Sequence, residues 1–363
     1  MGFFRRKTRY YYGLDVGNGA IKLVRLKQED REGPLALDRF LIHPTPTQAV
    51  ENGVIRDRAQ VRMVLKEMLR EMGVRSLPAA TVLTGQSLII RQVEVPKMPA
   101  EEFRQVLAVQ ADHYFGIPAE ELAADFQVLR ELPSNRMQVL LVGSLKQPIV
   151  DFVEFLQSCG VRATRVDIEP LAAMRSLRMT GALAPAGPEE TTVVLDMGAG
   201  TSNLSIFQGH ELQLVRVIGV AGNDFTESIA TAKQISWQEA EELKLQYGVD
   251  SASPIYPHIQ PILERLLRQI SISLEFYQVE NRSTMMRQMS IIGGGSRLTG
   301  LIPVLASHMQ ELFTRLEMEP PLVVAGNPCT HLPAVTTDAT QWGPILAVAI
   351  GLALGEVVAD ATD

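Results

Sequence analysis

The feature that most constrains this chain is a short glycine-rich segment that occurs twice. LDVGNGA begins at Leu14 and LDMGAGT begins at Leu195, and the leucine, the aspartate and both glycines recur 181 positions later. Apolar residues precede both segments, and Leu23 after the first corresponds to Leu204 after the second. Repetition of a segment indicates a duplicated structural unit. The sequence therefore predicts two similar domains with a cleft between them.

Each copy has the composition of a phosphate-binding turn between two strands. Glycine lets backbone N–H groups approach phosphate oxygens, because no Cβ intervenes. An aspartate at the entrance can hold Mg²⁺, usually through water, and the metal then neutralises the phosphates. A plain β-hairpin explains one copy equally well, but two copies favour a nucleotide. The candidate residues are Asp15, Gly17, Asn18, Gly19 and Lys22 in the first copy and Asp196, Gly198, Gly200 and Thr201 in the second, with Asp15 and Asp196 as the metal-binding pair.

A third glycine cluster, Gly293-Gly294-Gly295, follows a predicted strand at 290–292 and precedes Ser296. A flat base or ribose lying against the backbone accounts for three successive glycines, whereas an ordinary strand-to-helix turn rarely needs three. The chain has no GxxxxGK[ST] P-loop and no GxGxxG segment in a Rossmann arrangement. The expected nucleotide site therefore belongs to neither of those classes.

Composition and net charge exclude further classes of protein. The 363 residues suffice for two domains, and 46% of them are hydrophobic, which supports a sizeable core. A net charge of −7 argues against a general nucleic-acid binder, which usually carries a basic face. Cys159 and Cys329 fit no metal or disulfide pattern, which is typical of a reducing cytoplasm.

The sequence shows no secretion signal. The segment MGFFRRK is basic, but no apolar signal-peptide region follows it, and Arg6 stands where a myristoylation site has Ser or Thr. The longest apolar stretch, residues 344–358, is too short to span a bilayer. We therefore expect a soluble protein with a basic tail over residues 1–9 and no membrane anchor of its own.

Periodicity divides the chain into two α/β halves with an insertion. Residues 57–72 place apolar side chains at helical spacing, and residues 81–165 follow a strand–helix–strand–strand–helix order. The second pattern predicts a small inserted α+β subdomain. Segment 180–190, TGALAPAGPEE, is the clearest linker. The expected organisation is a first half at 10–80 and 166–185, an insertion at 81–165, and a second half at 186–363 whose C-terminal helix, 344–358, packs near the cleft.

The three glycine motifs, in this order, resemble the phosphate-1, phosphate-2 and adenosine motifs of the actin-like ATPase superfamily. Within it the chain resembles the PilM family of type IV pilus assembly, in the FtsA/PilM branch, over nearly its whole length. The resemblance implies duplicated actin-like, ribonuclease-H-like α/β domains around a nucleotide cleft. The halves are subdomains 1A and 2A/2B, and the insertion is the small subdomain 1C that this family shares with FtsA. The matching segments are FFRRK, GLDVGNGAIKLVRL, VVLDMGAGTSNLSIF, AEELK, SIIGGGSRLTGL, GPILAVAIGLALG and, most specifically, the inserted VPKMPAEEFRQVLAVQADHYFGIPAEELAADFQVL.

The resemblance gives the glycine motifs and AEELK their roles. The two aspartate–glycine turns would hold the phosphates of ATP with Mg²⁺, although the family often has Ser where Asn18 and Gly19 stand. Glu241 and Lys244 match the helix that meets ribose and base, although such an i,i+3 pair is by itself more often solvated. The adenosine loop would be formed by Gly293, Gly294, Gly295 and Ser296.

The segment DIEPLAA resembles the NEPTAA stretch of actin-like heat-shock chaperones, in which the glutamate helps to position the metal and the attacking water. Glu169 is therefore the candidate for positioning water, and Asp167 is the second candidate. An acidic residue and a proline at a helix start explain the same residues without catalysis.

The implied protein is cytoplasmic and peripheral to the inner membrane, with membrane contact only through partners. It would bind ATP and Mg²⁺ and grip the cytoplasmic N-terminal tail of a PilN-like bitopic membrane protein beside the insertion. Nucleotide would act by closing the halves, with slow ATPase activity at most, so an enzymatic role stays open. The resemblance also admits contacts with pilus motor ATPases or the platform protein, and a homodimer, but no nucleic acid. Two alternatives are an FtsA-like filament-forming ATPase and a small-molecule kinase of the same superfamily with Asp167 as its base.

Overall fold

The computed structural model describes residues 8–30, 33–83, 88–184, 187, 190–281, 284–334 and 338–362. Residues 1–7 of the expected basic tail lie outside the described residues, as do four positions of the expected linker. Thr8 and Arg9, which were assigned to the tail, already belong to the first strand.

Fifteen strands and nine helices occur among the described residues. In chain order the strands are β1 (Thr8–Val16), β2 (Ala20–Glu29), β3 (Leu35–Pro44), β4 (Val50–Glu51), β5 (Val54–Ile55), β6 (Leu77–Leu83), β7 (Ile89–Pro96), β8 (Leu122–Leu132), β9 (Arg136–Leu145), β10 (Val161–Ile168), β11 (Glu190–Met197), β12 (Ser202–Gln208), β13 (Glu211–Ile218), β14 (Met285–Ile292) and β15 (Leu322–Ala325). The helices are α1 (Arg58–Glu71), α2 (Ala100–Phe115), α3 (Lys146–Cys159), α4 (Glu169–Met179), α5 (Gly222–Lys233), α6 (Trp237–Tyr247), α7 (Tyr256–Glu280), α8 (Leu301–Arg315) and α9 (Ala339–Thr362), with 3₁₀ turns at Gly294–Arg297 and Pro328–Thr330.

The two halves are built on five-stranded sheets of the same topology. The first sheet has the order β10-β6-β1-β2-β3 and the second has the order β15-β14-β11-β12-β13. In each sheet three successive antiparallel strands come first, and two parallel strands then add beside the first of them. The duplication predicted from the repeated segment is therefore confirmed, and the chain has the duplicated α/β architecture expected of an actin-like fold.

The insertion is a three-stranded antiparallel sheet of order β7-β9-β8, covered by α2. Its own core includes Phe103 and Leu107 from α2 and Val139 and Leu141 from β9.

The expected range of the insertion, 81–165, is too long at both ends. β6 and β10 both belong to the first sheet, and Phe155 of α3 packs in the core beneath that sheet. Parallel strands need a long crossover connection. The insertion and α3 together form the crossover between β6 and β10, which the strand-by-strand sequence pattern did not distinguish from the insertion itself.

Helices α4 and α9 lie between the two sheets. One core cluster joins Ala172 of α4 and Val348 of α9 to Phe207 of the second sheet, and another joins Ile350 of α9 to Val24 of the first. A Cβ added to Gly351 would stand 1.8 Å from the carbonyl oxygen of Ala172, so α4 and α9 cross in direct backbone contact.

Helix α9 is longer than the apolar stretch 344–358, so the prediction that this segment is too short to span a bilayer is wrong. By length and composition, residues Ala339–Asp360 are sufficient to cross a bilayer, with a mean hydropathy of 1.8. However, 67% of that window is buried inside the molecule. Packing between two sheets accounts for its apolar sequence.

Candidate functional site

A cleft of about 620 Å³ lies between the halves, and the three glycine motifs line it. It is called the central cleft below. Asp167 and Ser296 are the two predicted site residues that do not line it. The predicted residues that do are Asp15, Gly17, Asn18, Gly19, Lys22, Glu169, Asp196, Gly198, Gly200, Thr201, Glu241, Lys244, Gly293, Gly294 and Gly295.

The first turn joins β1 to β2 as a tight hairpin. Gly17 donates its backbone N–H to the carbonyl oxygen of Ala20 at 3.1 Å. Asp15 and Lys22 face each other across the strands, and Lys22 Nζ lies 2.7 Å from Asp15 Oδ2. The lysine therefore reaches the cleft already paired with the aspartate.

The second turn repeats this geometry between β11 and β12. Gly198 donates to the carbonyl oxygen of Thr201 at 3.0 Å, and Asp196 faces Asn203 across the strands. Asn203 stands 181 positions after Lys22 and occupies the same place in its hairpin. It lines the cleft, yet sequence reasoning missed it, although extending the repeat to that offset finds it.

The two turns meet across the cleft. A Cβ added to Gly200 would stand 1.8 Å from Asn18 Nδ2, and a Cβ added to Gly19 would stand 2.7 Å from the Cβ of Ala199. Glycine at position 200 thus leaves room for the Asn18 side chain of the opposite turn, which belongs to the other half of the molecule.

Negative charge is concentrated at the floor of the cleft. Burial raises the pKa of Asp196 to about 6, against the lowering effect of Lys22 and with a further raising effect of Asp15. Burial, reinforced by Asp196 and Asp15, raises the pKa of Glu169 well above its usual value. Burial lowers the pKa of Lys22, but the Asp15 carboxylate outweighs it and raises that pKa overall.

Glu169 is the first residue of α4, directly after β10, and Asn203 Nδ2 donates to its Oε2 at 2.8 Å. Asp167 points elsewhere. Its Oδ2 lies 2.9 Å from Arg175 Nη1, which also donates to the carbonyl oxygen of Gly351 on α9. Of the two catalytic candidates, Glu169 alone reaches the cleft, and Asp167 contributes to packing of α4 on α9.

The third glycine motif closes the cleft against the second turn. Gly293 has φ +77°, and a Cβ there would stand 2.5 Å from Asp196 Oδ1. A Cβ on Gly294 would meet nothing within 4 Å, so its backbone borders open cleft. Ser296 Oγ donates to the carbonyl oxygen of Gly293 at 2.7 Å and supports the turn without lining the cleft.

The pair from AEELK lies on α6 at one side of the cleft. Lys244 is buried, and its Nζ lies 2.6 Å from Glu241 Oε2 and 2.8 Å from Thr226 Oγ1. Lys244 also donates to the carbonyl oxygen of Gly222, near the second turn, at 3.2 Å. These contacts distinguish the pair from a solvated helix pair.

Arg297 and Trp342 also line the cleft. The Arg297 guanidinium lies 4.2 Å from the centre of the Trp342 ring, a cation–π contact that offers a flat surface. Sequence reasoning missed both, because nothing in one dimension connects residue 297 to residue 342. Further apolar side chains line the cleft, namely Ile42, Pro44, Leu245, Ile345 and Val348.

The carboxylates suit a cation that brings its own further ligands. Among the described residues, no group of three or more His, Cys, Asp or Glu is placed to hold a metal ion. Mg²⁺ with a nucleotide usually takes only one or two carboxylates, plus waters and phosphates. Asp15 and Asp196 suit that role, since the two carboxyl groups line the cleft beside the two glycine turns.

A second cavity, of about 600 Å³, lies between the insertion and the second half and is called the apolar groove below. Its walls are β7 and β13, which are edge strands of their sheets. Gln92 Nε2 donates to the carbonyl oxygen of Leu212 across the groove. The lining includes Leu88, Ile89, Ile90, Arg91, Leu140, Gln213, Leu214, Val215 and Val217.

Comparison with known proteins agrees with this architecture. The chain is similar to a solved "PilM-PilN type IV pilus biogenesis complex", with 29% identity, a TM-score of 0.79 and coverage of 96% of this chain and 98% of that one. It shares its fold with MreB 5 of Spiroplasma citri solved bound to AMPPNP, with 14% identity, a TM-score of 0.53 and coverage of 98% of both chains.

Among curated proteins, the cell division protein FtsA is a relative. The Bacillus subtilis (strain 168) protein is 22% identical over 66% of this chain and 58% of its own length. The Streptococcus pneumoniae (serotype 2, strain D39 / NCTC 7466) protein is 23% identical over 66% of this chain and 56% of its own length. The matches thus span less than two thirds of these relatives.

A family profile described as "Type IV pilus assembly protein PilM" matches residues 13–357, nearly the whole chain. That match agrees with the duplicated sheets, the facing glycine turns and the inserted sheet. The chain therefore belongs to the PilM family of type IV pilus assembly proteins.

Proposed function

We propose that this protein is a cytoplasmic, actin-like, ATP-binding component of a type IV pilus assembly platform, peripheral to the inner membrane. The observation that carries the proposal is the pair of aspartate–glycine turns that meet across one cleft from opposite halves. Backbone N–H groups at such turns are suited to phosphate oxygens. The flat Arg297–Trp342 surface and the apolar side chains of the cleft suit a base.

The first role proposed for the central cleft is nucleotide binding. The two turns cradle the phosphates, Lys22 adds positive charge, and Lys244 holds α6 against the second turn. Mg²⁺, held through Asp15 and Asp196, would neutralise charge on the phosphates. We assign the orientation of water to Glu169, because it lines the cleft, and hydrolysis would depend on this residue.

The partner assigned to the protein is the cytoplasmic N-terminal tail of a PilN-like bitopic membrane protein. The similar PilM-PilN complex supports this assignment. The apolar groove beside the insertion is suited to an extended peptide, because its walls are two edge strands and apolar side chains line it.

Thermal unfolding with and without Mg·ATP tests the nucleotide site. A ligand at 100 times its dissociation constant should stabilise the fold by about 2.7 kcal/mol. Gly294→Val should abolish this shift, since its Cβ would enter open cleft with no other atom within 4 Å. Gly187→Val, whose Cβ would come no closer than 3.7 Å to Glu190 and which lies outside the cleft, is the control for adding a side chain. No ATP shift in the native chain would contradict the proposed nucleotide site.

A PilN-tail peptide titrated into the same samples tests the partner. Val215→Ala should weaken the peptide's effect and leave the ATP shift intact, because Val215 lines only the groove. ATP-dependent pelleting of the native chain would instead favour the FtsA-like filament function, to which the FtsA relatives give some support.

A further inference from the structure

The central cleft and the apolar groove share one wall. Glu169, Thr201 and Asn203 line both cavities. The wall therefore has one surface facing the expected phosphates and another facing the expected peptide.

The contact within this wall also joins the two halves. Glu169 begins α4 of the first half, Asn203 lies on β12 of the second half, and the hydrogen bond between them is 2.8 Å long. A relative movement of the halves must stretch or rotate this bond.

A row of neighbouring side chains continues from the wall into the groove. Asp196, Asn203 and Val217 are register partners across β11, β12 and β13. Directly opposed residues in antiparallel strands have their Cβ atoms about 4.5–5.5 Å apart on the same face. Asp196 lines the cleft, Val217 lines the groove, and Asn203 stands between them.

We propose that Asn203 is a positioning residue whose hydrogen bond to Glu169 couples occupancy of the central cleft to occupancy of the apolar groove. The proposal rests on the proposed function, in which nucleotide fills the cleft and a peptide fills the groove. A ligand shifts a conformational equilibrium only through contacts that differ between its states. A wall that both ligands touch provides such contacts directly. The first hairpin has Lys22 at this position, so the asparagine distinguishes the half that faces the groove.

The test measures the coupling factor, which is the Kd of Mg·ATP without the PilN-tail peptide divided by the Kd with a saturating amount of it. In the native chain we expect this factor to differ from one by about tenfold. Asn203→Ala and Asn203→Leu should both bring it close to one, since neither side chain can form a hydrogen bond with Glu169. Glu169→Gln should keep it, because the amide oxygen still accepts from Asn203, whereas Glu169→Ala should lose it.

Two variants that touch one cavity each are the controls. Leu245 lines only the central cleft and Val215 lines only the apolar groove, so Leu245→Ala and Val215→Ala each alter one cavity. Each should change one affinity while the coupling factor stays as in the native chain. The factor is a ratio, so weaker binding at either cavity does not imitate lost coupling.

A second readout needs no peptide. Val217→Cys, labelled with bimane, places a fluorophore in the groove at a position that is 49% exposed, and the native cysteines are buried. Mg·ATP should change the bimane emission, and adding Asn203→Ala should remove that change.

The outcomes separate the two hypotheses. If Mg·ATP does not bind the native chain, the proposed nucleotide function fails and the coupling fails with it. If Mg·ATP binds but neither peptide affinity nor bimane emission responds, the coupling alone is overturned. It is also overturned if Asn203→Ala and Asn203→Leu leave both responses intact.

Discussion

At the scale of single residues, the central cleft holds Asp15, Asp196 and Glu169 around Lys22. Burial raises the pKa of Asp196 to about 6 from 3.8, with Lys22 opposing and Asp15 reinforcing the shift. A raised folded-state pKa means that this group stabilises the fold fully below pH about 4 and loses that contribution as the pH rises through about 6. Glu169 shifts in the same direction.

Asp196→Asn removes the ionisation at position 196. Between pH 4.5 and pH 7 we therefore expect the free energy of unfolding of Asp196→Asn to fall by on the order of 2 kcal/mol less than that of the native chain. Urea unfolding at both pH values measures the difference. Asp57→Asn is the control, because hydrogen bonds from Gln60 and Ala59 lower the pKa of Asp57, so its contribution is constant over this interval. A change with pH as steep as that of the native chain would contradict the assigned pKa.

Lys22 belongs to a mostly buried ion pair, in which the side chains of Lys22 and Asp15 are 16% and 6% exposed. Lys22→Met leaves Asp15 buried without its counter-charge, and we expect it to lower the free energy of unfolding by about 3–5 kcal/mol. Lys27→Met, in the exposed pair with Glu29 on the same strand, should cost about 0–1 kcal/mol. Equal costs in chemical denaturation would show that the Asp15–Lys22 pair is solvated. Asp15→Asn added to Lys22→Met should recover part of the loss.

At the scale of elements, the crossing of α4 and α9 holds the halves to a common layer. Gly351→Ala places a Cβ 1.8 Å from the carbonyl oxygen of Ala172, a backbone atom that cannot rotate away. We expect a loss of about 1–3 kcal/mol in the free energy of unfolding, as in other overpacked contacts.

Gly355→Ala on the same helix is the matched control. Its Cβ would stand 2.9 Å from Arg175 Nη1, a side-chain end that has to shift slightly against its contacts with Asp167 and the carbonyl oxygen of Gly351. The change should therefore lower the free energy of unfolding less than Gly351→Ala, whose Cβ meets backbone. If both variants unfold alike, the close crossing of α4 and α9 does not limit stability.

Local sequence patterns predicted individual helices and strands. Their arrangement in sheets and layers depends on contacts between segments that lie far apart in the sequence. The repeated LDVGNGA and LDMGAGT segments predicted two hairpins, and the apolar run 344–358 predicted the core of α9. The same patterns assigned β10 to the insertion, since an isolated strand carries no mark of the sheet it will join. Within the site, the glycine motifs were found from composition, whereas Trp342 and Arg297 meet only through tertiary packing.

At the scale of the whole molecule, the facing turns are the place where opening of the halves is most easily detected. A Cβ on Gly19 would lie 2.7 Å from the Cβ of Ala199, somewhat closer than the roughly 3.5–4.5 Å typical of a disulfide. A small outward shift of one turn would accommodate the bridge. The native thiols should not interfere, because both are buried and burial raises the pKa of Cys329 to about 12.

The double variant Gly19→Cys with Ala199→Cys therefore tests whether nucleotide exchange requires the halves to part. We expect the oxidised protein to bind and release a fluorescent ATP analogue at least about tenfold more slowly than the same protein after reduction, since a bridge that adds about 1.4 kcal/mol to the opening barrier has that effect. Comparing oxidised with reduced samples removes any direct effect of the substitutions, and each single variant should show no redox dependence. If mass spectrometry finds the bridge and the exchange rate is unchanged, nucleotide enters without separation of the turns. The coupling assigned to Asn203 would then act while the two turns stay in contact, through rotation of one half relative to the other.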